Sequence, residues 1–125
     1  MYTPYLTAEE YAALGGTVPA GERDKYLETA SRHIDSLTFN RIVKAGFDKL
    51  SVFQREIIKK VCFDMTEFEY ENADALSSAL SSYSINGVSM KFGDGFNITS
   101  VGGIVVKRDT YDLLMQTGLC YRGVG

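Results

Sequence analysis

The sequence predicts a mostly α fold: a small helical bundle with a long central helix and one β-hairpin, in a single domain over 1–125. Three observations predict it. Thr7-Ala8-Glu9-Glu10 and Ser51-Val52-Phe53-Gln54 are both capping boxes, in which a hydroxyl and a carboxyl or amide satisfy the first free amides of a helix reciprocally. The stretch from Ser51 to Asn72 holds neither Gly nor Pro and repeats apolar residues at helical spacing. Ile85-Asn86-Gly87-Val88 places Asn-Gly between β-branched residues, the strongest short-range signal for a type I′ hairpin.

The elements follow in order. The first capping box opens a short helix over 7–14, with Leu6 and Tyr11 at the staple positions, and Gly15-Gly16 ends it. Pro19 and Ala20 open a second helix over 20–38, with Glu22 and Asp24 near its positive end. Leu27, Ala30, Ile34 and Leu37 fall on one face of it, and Glu28 and Arg32 pair at i,i+4 on the other. Residues 39–50 read as a loop or short turn around Gly46. The central helix then carries a stripe of Phe53, Ile57, Val61, Met65 and Phe68, widened by Ile58 and Cys62. At about 1.5 Å per residue it is about 33 Å long, enough to span the domain.

Residues 72–82 are rich in Ala and Ser and read as a frayed end or a link. In the hairpin that follows, Ile85 faces Val88 and Tyr83 faces Met90, while Ser84 and Ser89 share the other side. Gly93-Asp94-Gly95 is a further turn. Ile98 and then Ile104-Val105-Val106 add a short strand after Gly102-Gly103. Asp109 is placed to cap a last helix with Tyr111, Leu114 and Met115 inward, and Gly118 is placed to stop it. Leu119 can then pack back on Leu114, and 119–125 reads as a flexible C-terminal tail.

Composition narrows the function. The chain has 125 residues, 13 Lys+Arg against 16 Asp+Glu, and a net charge of −3. That balance opposes a non-specific grip on DNA, which needs many phosphate-neutralising cations. An apolar fraction of 45% with 23% charged residues excludes wholesale disorder and fibrous classes. Cys62 and Cys120 form no C-x-x-C pair and read as free thiols of a reducing compartment. The N-terminus lacks a basic region followed by an apolar core, and no run approaches the length of a membrane span.

No catalytic constellation stands out, and no cofactor is expected. His33 is the only histidine, and a dyad with Cys62 or Cys120 has no motif behind it. It reads as a partly buried or surface histidine. Asp64, Glu67 and Glu71 share one face of the long helix, with Glu69 nearby. They suit Mg²⁺ or Ca²⁺ in residue type, but ligands from one helix enclose a cation poorly, so a solvated face or inter-subunit pairing is favoured. Gly93, Gly95, Gly102 and Gly103 match no phosphate-binding pattern and read as turns.

The central helix carries an unusual charge order. Arg55, Lys59 and Lys60 lie in its first half, and Asp64, Glu67, Glu69 and Glu71 in its second. The macrodipole prefers the reverse. One explanation is head-to-tail packing between copies, basic half against acidic half, the kind of heterologous contact that closes into rings. The other is pairing with the second helix within the chain, or chance.

Taken together, four segments resemble the head–tail connector (adaptor) proteins of long-tailed bacteriophages and prophages. They are Ala30-Ser31-Arg32-His33-Ile34-Asp35-Ser36-Leu37-Thr38; Phe53-Gln54-Arg55-Glu56-Ile57-Ile58-Lys59-Lys60-Val61; Tyr83-Ser84-Ile85-Asn86-Gly87-Val88-Ser89-Met90; and Leu113-Leu114-Met115-Gln116-Thr117-Gly118-Leu119-Cys120-Tyr121-Arg122-Gly123-Val124. The resemblance implies a mainly helical subunit of a ring, nominally twelve-fold, docked under the portal protein in the virion neck and assembled in the host cytoplasm. It implies an extended channel for genomic DNA without sequence-specific binding, a platform for a stopper or tail-completion protein, no membrane and no catalysis. Arg55, Lys59, Lys60, Asp64, Glu67 and Glu71 are the candidate subunit interface. Ser84, Asn86, Gly87, Ser89, Tyr121 and Arg122 are the candidate docking residues. The alternatives are another neck or tail-completion protein, commonly richer in β-structure, and a small metal-binding protein or enzyme using Asp64, Glu67 and Glu71.

Overall fold

The computed structural model describes residues 2–74, 76 and 97–120. Within them lie five α-helices, one 3₁₀ turn and one two-stranded antiparallel sheet, so the chain is mostly α with minor β. The expected hairpin over 83–90 and residues 121–125 lie outside the described residues.

Helix α1 (Ala8–Ala13) starts at the predicted capping box. The Glu10 amide donates to Thr7 Oγ1, and the Thr7 amide donates to Glu10 Oε1, both at 3.0 Å. Leu6 and Tyr11 are buried on either side of that start. Helix α2 (Ala20–Leu37) buries Leu27, Ala30, Ile34 and Leu37 on the predicted face and pairs Arg32 with Glu28 at 3.0 Å. Two polar residues of α2, Ser31 and Asp35, are also buried. Asp35 accepts hydrogen bonds from the hydroxyls of Tyr2 (2.7 Å) and Tyr5, and the Tyr5 amide donates to Ser31 Oγ. These bonds clamp the N-terminal segment across α2. Burial, then the bond to Asp35, pushes both phenols well above the usual tyrosine range.

The segment expected as a loop over 39–50 is more ordered than its sequence indicates. After Phe39 and Asn40, both in the left-handed region (φ 55° and 59°), comes helix α3 (Arg41–Ala45), then a 3₁₀ turn at Phe47–Lys49. The β-branched Ile42 and Val43 weaken the local helical preference, and no side chain caps α3. Tertiary contacts hold it instead: Ile42 is buried, and Arg41 Nη1 donates to the Leu119 carbonyl at 2.8 Å.

Helix α4 (Val52–Glu71) starts at the second capping box, with Ser51 and Gln54 bonded reciprocally. It buries Ile57, Ile58, Val61, Cys62, Met65 and Phe68 as expected, and also Thr66 and Glu69. Phe53 departs from the expected stripe: like Val52 it is more than half exposed, because none of the described residues covers it in the first turn of α4.

Strands β1 (Ile98–Val101) and β2 (Ile104–Lys107) pair around Gly102-Gly103, with Val101 opposite Ile104. Both glycines have positive φ (58° and 84°), which a two-residue type I′ turn requires. Neighbouring strand residues point to opposite faces. Val105 and Val106 are both buried, so β2 is covered on two sides. Val105 packs with Phe68, Ile98 and Leu76, and Val106 joins the main core.

Helix α5 (Arg108–Met115) differs from expectation in two details. Its N-cap is Lys107, with no side-chain cap, so Asp109 does not cap it. Asp109 sits inside the first turn and accepts from Asn97 Nδ2 at 2.9 Å. Leu114 is fully buried and Tyr111 partly so, but Met115 is half exposed. Gly118 (φ 76°) turns the chain after the helix. The tail begins later than expected: Leu119 packs on the core and Cys120 is buried within it.

Gly16 offers a test of packing. A Cβ there falls 2.1 Å from Tyr11 Cζ, and Tyr11 is wholly buried. Gly16→Ala forces the ring to move, and overpacking of this kind costs about 1–3 kcal/mol. Urea denaturation of the variant shows a lowered midpoint with an unchanged m value; an unchanged midpoint contradicts the packing.

Candidate functional site

The charged row of α4 is the first candidate, and its members have different surroundings. Lys59 pairs with Glu10 of α1, the same carboxylate that closes the capping box. The Lys59 hydrogen bond, followed by the Thr7 amide, holds the Glu10 carboxyl below its usual value. Lys60 pairs with Asp64 one turn on, at 2.9 Å and largely in water. Glu67 binds the loop after α1: its Oε1 accepts from the Tyr11 hydroxyl and from the Thr17 amide (2.9 Å), and its Oε2 from the Thr17 hydroxyl (2.6 Å). Burial pushes the Glu67 carboxyl up, but the Thr17 hydroxyl, the Tyr11 hydroxyl and the Thr17 amide outweigh it and hold it below the usual range. The Tyr11 hydroxyl in turn accepts from the Val18 amide at 2.8 Å.

Arg55 and Glu71 make no ion pair among the described residues. Asp64, Glu67 and Glu71 do not converge: among the described residues, no group of three or more His, Cys, Asp or Glu is placed to hold a metal ion. An apolar groove of about 390 Å³ runs beside this row, between α1 and α4. Leu6 and Ala13 line it together with the exposed Leu14, and Glu10, Glu56, Lys59 and Lys60 add charge of both signs.

A second site was not predicted. His33 Nδ1 lies 2.6 Å from Oε2 of Glu69, thirty-six residues away in sequence. A carboxylate can only accept, so Nδ1 carries the proton. Glu69 is buried, and its other oxygen, Oε1, has no hydrogen-bond partner. The His33 side chain is about one-third exposed. Both residues line a groove of about 210 Å³ between α2, α4 and the β1–β2 hairpin, with Tyr26, Thr29, Ala73, Leu76, Gly103, Ile104 and Val105. The helical periodicity of α4 places Glu69 one position from the core residue Phe68 but cannot show that α2 brings His33 to it.

Neither cysteine joins His33. Cys62 is buried against Ser31 Oγ at 3.4 Å, and burial pushes its thiol up to about 11. Burial raises the Cys120 thiol to about 11 as well. Both are protonated near neutral pH, and the thiolate is the nucleophilic form. No described helix is long and apolar enough to cross a membrane.

The docking candidates Ser84, Asn86, Gly87, Ser89, Tyr121 and Arg122 lie outside the described residues. The exposed large apolar side chains that are described are Leu14, Phe39, Val43, Val52, Phe53 and Met115. Compared with protein-family models, curated proteins and solved structures, the chain matches none.

Glu67 generates a pH-dependent prediction. Its folded-state pKa is depressed, so the stability it contributes is present above its unfolded value, near 4.5, and is lost as pH falls through the folded value. Glu67→Gln costs about 1–2 kcal/mol at neutral pH and flattens the acid limb. Thermal melts from pH 7 to pH 3 show the variant and the parent converging. Parallel curves contradict the assignment.

Proposed function

We propose that this chain is a structural virion-assembly protein: a ring-forming head–tail connector subunit that docks on the phage portal protein. The ring extends the channel through which genomic DNA passes and presents a platform for a stopper or tail-completion protein. The protein acts in the virion neck after assembly in the host cytoplasm. No catalytic step belongs to this reading.

The observation that carries it is the combined occurrence, in order, of the Ile34-Asp35-Ser36-Leu37-Thr38 helix end, the Ser84-Ile85-Asn86-Gly87-Val88-Ser89 segment and the Thr117-Gly118-Leu119-Cys120-Tyr121-Arg122-Gly123 segment. Three features support it. The mostly helical fold agrees with the family's expected class. A net charge of −3 suits a wall along which DNA slides. The groove beside Lys59 and Lys60, with Leu14 exposed at its edge, offers an apolar strip rimmed by both signs of charge, the composition of a subunit contact with an apolar centre and a polar rim.

Portal rings from the same genome test the reading. Sedimentation and negative-stain imaging with purified rings show added annular density beneath the portal, with a copy number set by the ring. Absence of binding well above micromolar concentration overturns it.

Two variants refine the test. Lys60→Glu removes an i,i+4 pair worth about 0.3–0.5 kcal/mol and an ammonium lying 5.7 Å from the centre of the Phe63 ring, both at the surface, so the monomer stays folded while assembly weakens. Unchanged assembly removes Lys60 from the interface. Deletion of 121–125 leaves Leu119 and Cys120 in the core. The truncated chain melts like the parent and fails to enter particles, as measured by incorporation during assembly; normal incorporation removes Tyr121 and Arg122 from docking.

A further inference from the structure

The His33–Glu69 pair has the form of a prepared receptor, and nothing in the assembly reading uses it. Glu69 is buried near the middle of the fold, behind the imidazole. Its Oε2 fixes the ring by accepting from Nδ1; in the neutral ring Nε2 is then the lone-pair nitrogen, on the edge away from the carboxylate. Among the described residues, nothing partners Nε2. Glu69 Oε1 is also unpartnered. The carboxylate's charge is therefore only partly compensated, and in a poorly solvated site its field is felt strongly. Among the described residues, no Lys or Arg lines the groove.

The walls are of a different kind. Ala73, Leu76, Ile104 and Val105 are apolar, with Gly103 at the hairpin turn. At about 30 Å³ per water, a groove of about 210 Å³ holds a side chain of several carbons. An occupant must therefore combine an apolar stem with a cationic, hydrogen-donating tip. Lysine fits both requirements: its four-carbon stem lies on apolar surface while its ammonium seeks a polar partner. A guanidinium favours a two-oxygen fork, whereas this site offers a single acceptor nitrogen.

We propose that this groove is a receptor for a lysine side chain presented by a partner protein. The ammonium donates to Nε2 of His33, whose Nδ1–H donates to Glu69, so the buried carboxylate is compensated through the ring. The stem lies along Ala73, Leu76 and Ile104. The inference does not depend on the neck-assembly reading, since it rests on the dyad and the groove alone.

The single histidine makes the test direct, because its ring C–H resonances are unique in the spectrum. The full chain is titrated with Nα-acetyl-lysine methylamide at neutral pH, and in parallel with Nα-acetyl-norleucine methylamide, the uncharged analogue of nearly equal stem. The lysine probe shifts the His33 signals saturably, with a dissociation constant on the order of 1–10 mM, as expected of a probe this small. The norleucine probe shifts them at least tenfold more weakly. Glu69→Gln weakens the lysine response at least tenfold. Should that variant not fold, Ala73→Leu fills the groove while keeping the dyad and removes the response. Equal responses to the two probes, no saturable shift, or an undiminished response in Ala73→Leu each overturn the proposal.

Discussion

Helix α4 presents one broad face of apolar side chains, and the rest of the described chain is arranged to cover it. Ile57, Ile58, Val61, Cys62, Met65 and Phe68 are all buried. Each large side chain removed from water contributes about 1.5–3 kcal/mol, which makes this helix a large contributor to stability. Helix α2 covers one side with Leu27, Ala30 and Ile34, while α5 and β2 bring Leu114 and Val106 to the same core. The covering also decides which polar residues become buried. Thr66 bonds its own helix through the Cys62 carbonyl, and Glu69 turns to His33. The lysine receptor is thus a by-product of packing geometry: a carboxylate carried into the interior by the helix stripe needs the imidazole that α2 supplies.

The residues that carry the family resemblance have identifiable jobs in the fold. Ile34 and Leu37 are core, and Asp35 holds Tyr2 and Tyr5. Thr38 closes the end of α2 by donating to the Ile34 carbonyl at 2.8 Å. At the other end, Thr117 donates to the Leu114 carbonyl and accepts from the Leu119 amide, around Gly118. The Leu119 carbonyl then takes the Arg41 guanidinium. These motifs therefore specify how the helical body is tied at its two seams.

What could be read from the sequence was local. The two capping boxes, the α2 face, the Glu28–Arg32 pair and the stop at Gly118 depend on residues within about one turn of each other, and the structure has them all. Helix α3 was not legible, because its β-branched residues and missing cap argue against it and only Arg41 and Ile42 reach out to hold it. Phe53 and Met115 lie on the right helical faces, but periodicity gives a face and not whether a neighbour covers it. The second site was illegible for a different reason. His33 and Glu69 are joined only by the way α2 lies on α4, as are Tyr5 with Asp35 and Tyr11 with Glu67.

The charge order of α4 sharpens the assembly argument when its members are separated by what they hold. Lys59 and Glu67 are tied to α1 and to the loop after it. Transferring Glu67 to a neighbouring subunit uncouples Tyr11 from the Val18 turn, at a cost of about 1–2 kcal/mol, and transferring Lys59 gives up its partly exposed pair with Glu10, worth up to about 1 kcal/mol. Lys60 and Asp64 share only a solvent-exposed pair, and Arg55 and Glu71 have no ionic partner among the described residues. Those four can change partners at a cost of tenths of a kcal/mol. A head-to-tail contact through α4 is therefore built most cheaply from Arg55 and Lys60 of one copy against Asp64 and Glu71 of the next. Lys59 and Glu67 then keep α1 in place as one wall of the apolar groove that the contact covers.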